Sequence, residues 1–246
     1  MNPCLAIPLY DHGETIANVV ESLAKWDLPC LIVDDGSGEP TRLQLERIEA
    51  RHPWVEVVRH PQNRGRGAAL RTAYECAAAR GRTHVVQLDA DGQHDSADVP
   101  RFLEVAKAQP GALILGAPIF DESAPRYRLY GRKLSQVIVR LETRSNVVRD
   151  PLCGFRCIPL VPTLALLERV STGDRMDFDP ELIIRLVRSG VPVVNIPTKV
   201  RYPEGGVSHF HMVADNLRIA WVYVRLAFDF PWRRAGAAPT TGRRER

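Results

Sequence analysis

The chain has 246 residues, 45% of them hydrophobic and 25% charged, enough to bury a sizeable core in one large α/β domain or two small ones. Its net charge of +4 comes from the end of the chain: from Trp232 onward there are five arginines and one glutamate, and the body before them is neutral. A neutral body excludes a nucleic-acid-coating surface, which needs a basic face or stripe.

The five cysteines (Cys4, Cys30, Cys76, Cys153, Cys157) are odd in number and show no paired spacing. With no N-terminal apolar stretch of signal-peptide type, they read as a reducing, cytoplasmic setting. Cys153 and Cys157 lack the second Cys/His pair that a zinc site requires. There is no run of ~18 uninterrupted apolar residues, so no spanning helix is expected.

In chain order, residues 4–9 (CLAIPL), 30–33 (CLIV), 54–58 (WVEVV), 84–88 (HVVQL), 112–115 (ALIL) and 191–196 (VPVVNI) read as strands. Between them, 14–26, 41–51, 67–80 and 96–108 place apolar residues at helical spacing, with Ser96 as N-cap of the last. This alternation predicts βαβ units and a largely parallel sheet with helices on both faces. Beyond residue 116 the pattern weakens. Residues 129–144, 162–169, 180–189 and 212–230 read as helices, and 150–159 (DPLCGFRCIP) as a turn-rich loop. No internal repeat or low-complexity linker occurs. The expected division is a catalytic domain over 1–210, an amphipathic helix over 211–231 and a basic, disordered tail over 232–246.

Parallel α/β sheets bind ligands beyond the carboxyl ends of their strands. Asp34-Asp35 ends the second predicted strand and Asp89-Ala90-Asp91 ends the fourth, so two acidic clusters fall where such a site belongs. Two carboxylates one residue apart suit a hard divalent cation, which takes oxygen ligands and keeps positions open for phosphates. Gln93 offers a further carbonyl oxygen. Alone, Asp91-Gly92 could equally be a surface turn; the apolar strand before it and the second acidic pair favour a site. Residues 63–67 (NRGRG), opening a helix, have glycines that allow close backbone approach and arginines that can meet phosphate. As a dinucleotide fingerprint the segment is incomplete, and no P-loop occurs.

The segments 7–11 (IPLYD), 33–37 (VDDGS), 63–67 (NRGRG), 89–94 (DADGQH) and 153–156 (CGFR) stand in the order seen in family 2 inverting glycosyltransferases. Over roughly residues 4–210 the chain most resembles the dolichyl- or polyprenyl-phosphate sugar synthases. That resemblance implies a GT-A-type nucleotide-diphospho-sugar transferase fold and a UDP- or GDP-linked sugar donor. It implies Mg2+ or Mn2+ held by Asp89, Asp91 and Gln93. Pro8 and Tyr10 would line the base and Asp34 and Asp35 the base or ribose, with Ala90 beside them. Arg201 and Ser208 would close over the donor on a loop containing GGVS, and Arg132 would meet phosphate. The chain departs from the family pattern at Asp11-His12, where the family has Asn-Glu, and in carrying arginines for lysines in NRGRG.

The acceptor decides the chemistry. A hydroxyl must lose a proton to a positioned carboxylate, for which Asp179 and Glu181 in 178–182 (FDPEL) are the candidates, with Asp150 third. A lipid phosphate is already ionised and needs cations, from among Arg126, Arg128, Arg132, Arg156 and Arg201. A lipid-linked acceptor would suit a protein lying on the inner face of the cytoplasmic membrane. Residues 212–230 would then be an interfacial helix, or otherwise a packing helix of the domain. Two rival readings exist: a phosphatase of the haloacid-dehalogenase type, with Asp89 as nucleophile, and a sugar-nucleotide-binding protein without catalysis.

Overall fold

The computed structural model describes residues 1–120, 126–200 and 212–229. Strand and helix alternate as β1 (Pro3–Leu9), α1 (Gly13–Leu23), β2 (Cys30–Asp34), α2 (Glu39–Arg51), β3 (Val55–Arg59), α3 (Arg66–Ala79), β4 (His84–Gln87), α4 (Val99–Ala108) and β5 (Leu113–Phe120). There follow α5 (Arg126–Thr143), β6 (Arg156–Pro159), α6 (Leu160–Leu167), α7 (Phe178–Arg188), β7 (Val193–Val200) and α8 (Met212–Phe228).

The strands form one seven-stranded sheet in the order β3-β2-β1-β4-β6-β5-β7. β1 pairs in parallel with β2 and β4, β2 with β3, and β5 with β7, so the sheet is mostly parallel as expected. β1 shows why its residues form a central strand. Cys4 and Ala6 face one core with α3, α6, α7 and α8, while Leu5, Ile7 and Leu9 face the other with α1, α2 and α4. Both faces are covered, so the strand reads as a continuous apolar run.

Three local expectations need correction. Residues 156–159 are a strand, not loop: β6 runs antiparallel between β4 and β5, with Val86 opposite Cys157 and Ile114 opposite Cys157 on its two sides. β5 and β7 extend well past their apolar runs and stay in register from Leu113↔Val193 to Phe120↔Val200. Pro197 is tolerated because β7 is an edge strand, and Pro118 lies past Leu115, where the pairing of β5 with β6 has ended. Ser96 does not cap α4. Asp95 caps a short 3-10 turn by accepting from the Ala97 amide at 2.9 Å, and Ser96 Oγ instead donates to the Ser22 carbonyl at 3.1 Å. The five cysteines are free, and burial pushes the thiols of Cys153 and Cys157 up to about 12.

No helix among the described residues is long and apolar enough to cross a membrane. α8 buries Ile219, Val222, Tyr223 and Leu226 in the core it shares with α5 and α7, so it packs as part of the domain along one face.

Candidate active site

The site lies where β4 ends. The chain turns at Asp89-Ala90-Asp91, pinned by Thr15 Oγ1 donating to the Ala90 carbonyl at 2.6 Å and by the Gln93 amide donating to Asp91 Oδ1 at 3.0 Å. Gly92 completes the turn at φ +73°, a conformation that favours glycine. Asp89 is the hub. Arg66 Nη2 sits 2.6 Å from its Oδ1, and His94 Nε2 lies 3.4 Å from its Oδ2. Behind the carboxylate, a Cβ on Gly154 would overlap the Asp89 side chain. The glycine of the CGFR segment is therefore required by contact with the first aspartate of Asp-Ala-Asp.

Arg66 reaches Asp89 because the second acidic pair holds its loop. Asp35 accepts from the Arg64 amide at 2.9 Å and the Gly65 amide at 2.7 Å, and from His60 Nδ1 at 2.7 Å. Both Asp35 oxygens are thus committed to the chain around residues 60–65. Gly65, at φ +104°, and Gly67 press against residues 173–178, and the Ala68 amide donates to the Asp174 carbonyl at 3.0 Å. The glycines expected to approach a ligand instead dock this loop onto the segment leading into α7. That contact sets Asp179, in the first turn of α7, opposite Arg66, which donates from Nε to Asp179 Oδ2 at 3.0 Å.

The other Asp179 oxygen accepts from Arg156 Nη1 at 2.5 Å. Arg156 is 0% exposed and also donates to the carbonyls of Cys153 and Pro151 at 2.7 and 2.9 Å. It staples the 150–156 loop from inside and is not an exposed acceptor cation. Glu181 likewise turns away from the cluster. Its oxygens meet Arg185 Nε at 2.8 Å, Arg225 Nη2 at 2.6 Å and the Gly173 amide at 3.1 Å, tying α7 to α8. Arg132, on α5, donates from Nη1 to both oxygens of buried Asp150, at 2.8 and 2.9 Å, and stacks on Phe120.

Of the other expected donor contacts, Pro8 is buried in β1 opposite Val33, while Tyr10 is half-buried just past the strand end. Asp34 is buried and accepts from the Ser37 amide at 3.0 Å. Asp11 ties the β1 end to α2, taking Ser37 Oγ on its amide and the Gly38 amide on Oδ1 at 2.8 Å. Arg201 and Ser208 lie outside the described residues. Gln93 contributes its amide to Asp91 rather than a side-chain contact among the described residues. Arg66 was the residue hardest to single out from sequence; its signal was only an arginine between two glycines before a helix.

The electrostatics follow from this wiring. Burial would raise the Asp89 carboxyl, but Arg66, then His94 and Arg156, hold it well below the usual carboxylate range. Asp91 moves the other way, raised by burial and by the Asp89 charge beside it. Burial would lower Arg66, yet Asp89 and Asp179 keep it firmly protonated. Asp89 Oδ1 is buried against the Arg66 guanidinium, which is its ion-pair partner. Two hard oxygen donors one residue apart, the second with its charge disfavoured by the first, fit a divalent cation. Among the described residues no group of three or more His, Cys, Asp or Glu side chains is placed to hold a metal ion, so the donor set these two carboxylates offer is a partial one.

The family model described as Glycosyl transferase family 2 matches residues 4–169. The polyprenol monophosphomannose synthase of Mycolicibacterium smegmatis is 27% identical over 225 residues, covering 87% of this chain and 82% of that protein. Glucosyl-3-phosphoglycerate synthase from Mycobacterium tuberculosis, solved with Mn2+ and UDP-glucose, is similar in fold at a TM-score of 0.65 and 17% identity, over 92% of this chain and 76% of that one. A mannosyltransferase from Pyrobaculum calidifontis, solved with GDP-Man and Mn2+, gives 0.59 and 15%, over 97% and 76%. The phosphatase reading of Asp89-Ala90-Asp91-Gly92 is set aside by these matches. With its GT-A-type α/β fold, the chain belongs to glycosyl transferase family 2 and is a glycosyltransferase.

Proposed function

We propose that the enzyme transfers a sugar, with inversion, from a UDP- or GDP-linked donor to a polyprenyl phosphate, with Asp89 and Asp91 holding Mg2+ or Mn2+. The observation that carries the acceptor is the state of the two candidate bases. Asp179 has both oxygens paired, to Arg66 and to buried Arg156, and Glu181 has both committed between α7 and α8. Neither carboxylate stands open to take a hydroxyl proton, whereas an ionised phosphate needs no base. The name of the Mycolicibacterium relative supports the same acceptor class.

In this reading the cation, when bound, neutralises the donor diphosphate. The protein's own groups do the rest. Asp91 is oriented by the Gln93 amide, Tyr10 lies at the open edge for the base, and Arg66 balances Asp89. Asp35 acts through the loop it clasps, as a positioning residue. Arg201 and Ser208 are assigned to donor closure and Arg132 to the acceptor phosphate.

Arg132 provides the test. Losing one charge-assisted hydrogen bond costs about 1.5–3 kcal/mol, so Arg132→Ala should raise the KM for polyprenyl phosphate by roughly ten- to a hundredfold. Donor affinity should stay unchanged. Arg132→Lys keeps a charge beside Asp150 but loses the planar fork, and it controls for folding. The reading is overturned if polyprenyl phosphate is no acceptor, or if Asp179→Asn abolishes transfer in a folded protein while Arg132→Ala barely slows it.

Gly154 gives a second check on the site. An added methyl must push the Asp89 carboxylate aside, and misplacing a catalytic group by about 1 Å can cost on the order of a hundredfold. Gly154→Ala should therefore cut kcat/KM by about that factor. Unchanged kinetics would detach Asp89 from the chemistry.

A further inference from the structure

α5 and α8 pack against each other, and each turns its buried face to the same core. Each also leaves an apolar stripe in solvent. On α5 it runs through Tyr130 (70% exposed), Leu134, Val137 and Leu141, and on α8 through Leu217, Trp221 (67%), Val224 and Phe228 (79%). Both follow the same steps of four, three and four residues, so each is a single helix face. Surfaces of this kind on soluble proteins mark interaction sites.

The charges around the stripes select the partner. Each carboxylate described on or next to these helices is already paired: Glu142 with Arg188, Asp215 with Arg218, and Asp229 with Arg185. Lys133, Arg140, Arg144 and Arg149 are exposed cations. A hollow of about 260 Å³ lined by Arg140, Leu141, Arg144, Ser145 and Asn146 adjoins the end of the α5 stripe. Directly beyond α8, residues 230–246 carry five arginines and one glutamate.

We infer that the α5–α8 face docks on an anionic lipid bilayer, with the eight stripe residues in the head-group boundary and the surrounding cations against lipid phosphates. An apolar helix face edged by Lys and Arg is the pattern of an interfacial helix, and each nearby cation adds about 1 kcal/mol of attraction to an anionic leaflet. A second copy is the poorer occupant. A twofold interface sets the same surface against itself, so one cation-edged face would meet another whose described carboxylates are already paired. The inference deepens the lipid-phosphate reading and rests on it for its purpose: Arg132 projects from the same helix as the α5 stripe, beside the loop that cradles Asp89.

The test uses the full-length chain and vesicles of phosphatidylcholine, alone or mixed with phosphatidylglycerol, containing no polyprenyl phosphate. The chain should float with the anionic vesicles and weaken at high salt. Leu134→Ser/Trp221→Ser and Arg140→Glu/Arg144→Glu should each reduce binding by about tenfold or more. Melting with and without donor and Mn2+ reports whether each variant is folded. Hydrogen exchange of the wild-type chain should show residues 130–141 and 217–228 protected by anionic vesicles, which keeps the test intact if a variant misfolds. No flotation, equal flotation with neutral vesicles, or a solution dimer broken by Leu134→Ser/Trp221→Ser without vesicle binding would each overturn the inference. Transfer to a soluble short-chain polyprenyl phosphate, measured separately, tells failure of docking from failure of the acceptor assignment.

Discussion

Asp91→Ala is expected to lower affinity for the nucleotide-sugar donor about a thousandfold, and a chelator should do the same to the wild-type enzyme. The magnitude follows from charge: a bound divalent cation stabilises phosphoryl oxygens by several kcal/mol, about 4 kcal/mol being a thousandfold in binding. Without it, two carboxylates would face a diphosphate of the same sign. The fold should survive. Asp91 is only half-buried, its recorded hydrogen bond is to the adjacent Gln93 amide, and its charge is disfavoured by Asp89. Calorimetry with UDP- and GDP-linked sugars, with and without Mn2+, measures the effect and identifies the base. Equal donor affinity with and without metal would sink the assignment of Asp89 and Asp91.

Asp179→Asn should act mainly on stability. Among the described residues the carboxylate is the one ion-paired with Arg156, whose guanidinium has no exposure to water. Breaking a buried ion pair from one side costs about 3–5 kcal/mol because the remaining charge stays buried. Asparagine keeps one acceptor oxygen, so the lower end of that range applies. At about 2–4 °C per kcal/mol for a chain of this size, Tm should fall by roughly 6–12 °C. The folded variant should still transfer sugar to a phosphate acceptor at a rate close to wild type. The same substitution should cost much less in an Arg156→Met background, since paired residues do not add. A wild-type Tm for Asp179→Asn would show that the pair carries no weight in the fold.

The first half of the fold is legible in sequence because its strands are covered on both faces. Runs such as Cys30–Asp34 are buried throughout and so contain no polar residue to disguise them before the terminal aspartate. β6 is hidden for the opposite reason. It has four residues, begins with a charged arginine and ends in proline, which are the marks of a loop unless the partner of that arginine is known. That partner, Asp179, lies 23 residues further on. The same limit applies at the site. Asp89 and Asp91 are visible as a spaced pair at a strand end, but the bond from Arg66 to Asp179 spans 113 positions. Local spacing cannot reveal it, and so it leaves Asp179 looking like an open base. Asp35 is visible as an acidic residue at a strand end, while its work of clasping the 60–65 loop depends on backbone amides, which have no signature in side-chain chemistry.

The insertion of β6 between β4 and β5 also shapes how the chain must assemble. β4 and β5 share no hydrogen bonds; each is joined to the sheet's other half through β6. When synthesis has reached residue 120, β3, β2, β1 and β4 can pair among themselves. β5 has no neighbour until residues 156–159 have emerged, and β4 presents an open edge for that interval. Such an edge is a template for wrong pairing, and closing it requires contacts distant in sequence, which slow folding. The last strand to enter the middle of the sheet also carries Arg156 to Asp179 and brings Gly154 against Asp89. Closure of the gap between β4 and β5 and assembly of the candidate site thus depend on the same strand, and a chain stalled before it would present an open sheet edge and lack the contacts of Gly154 and Arg156.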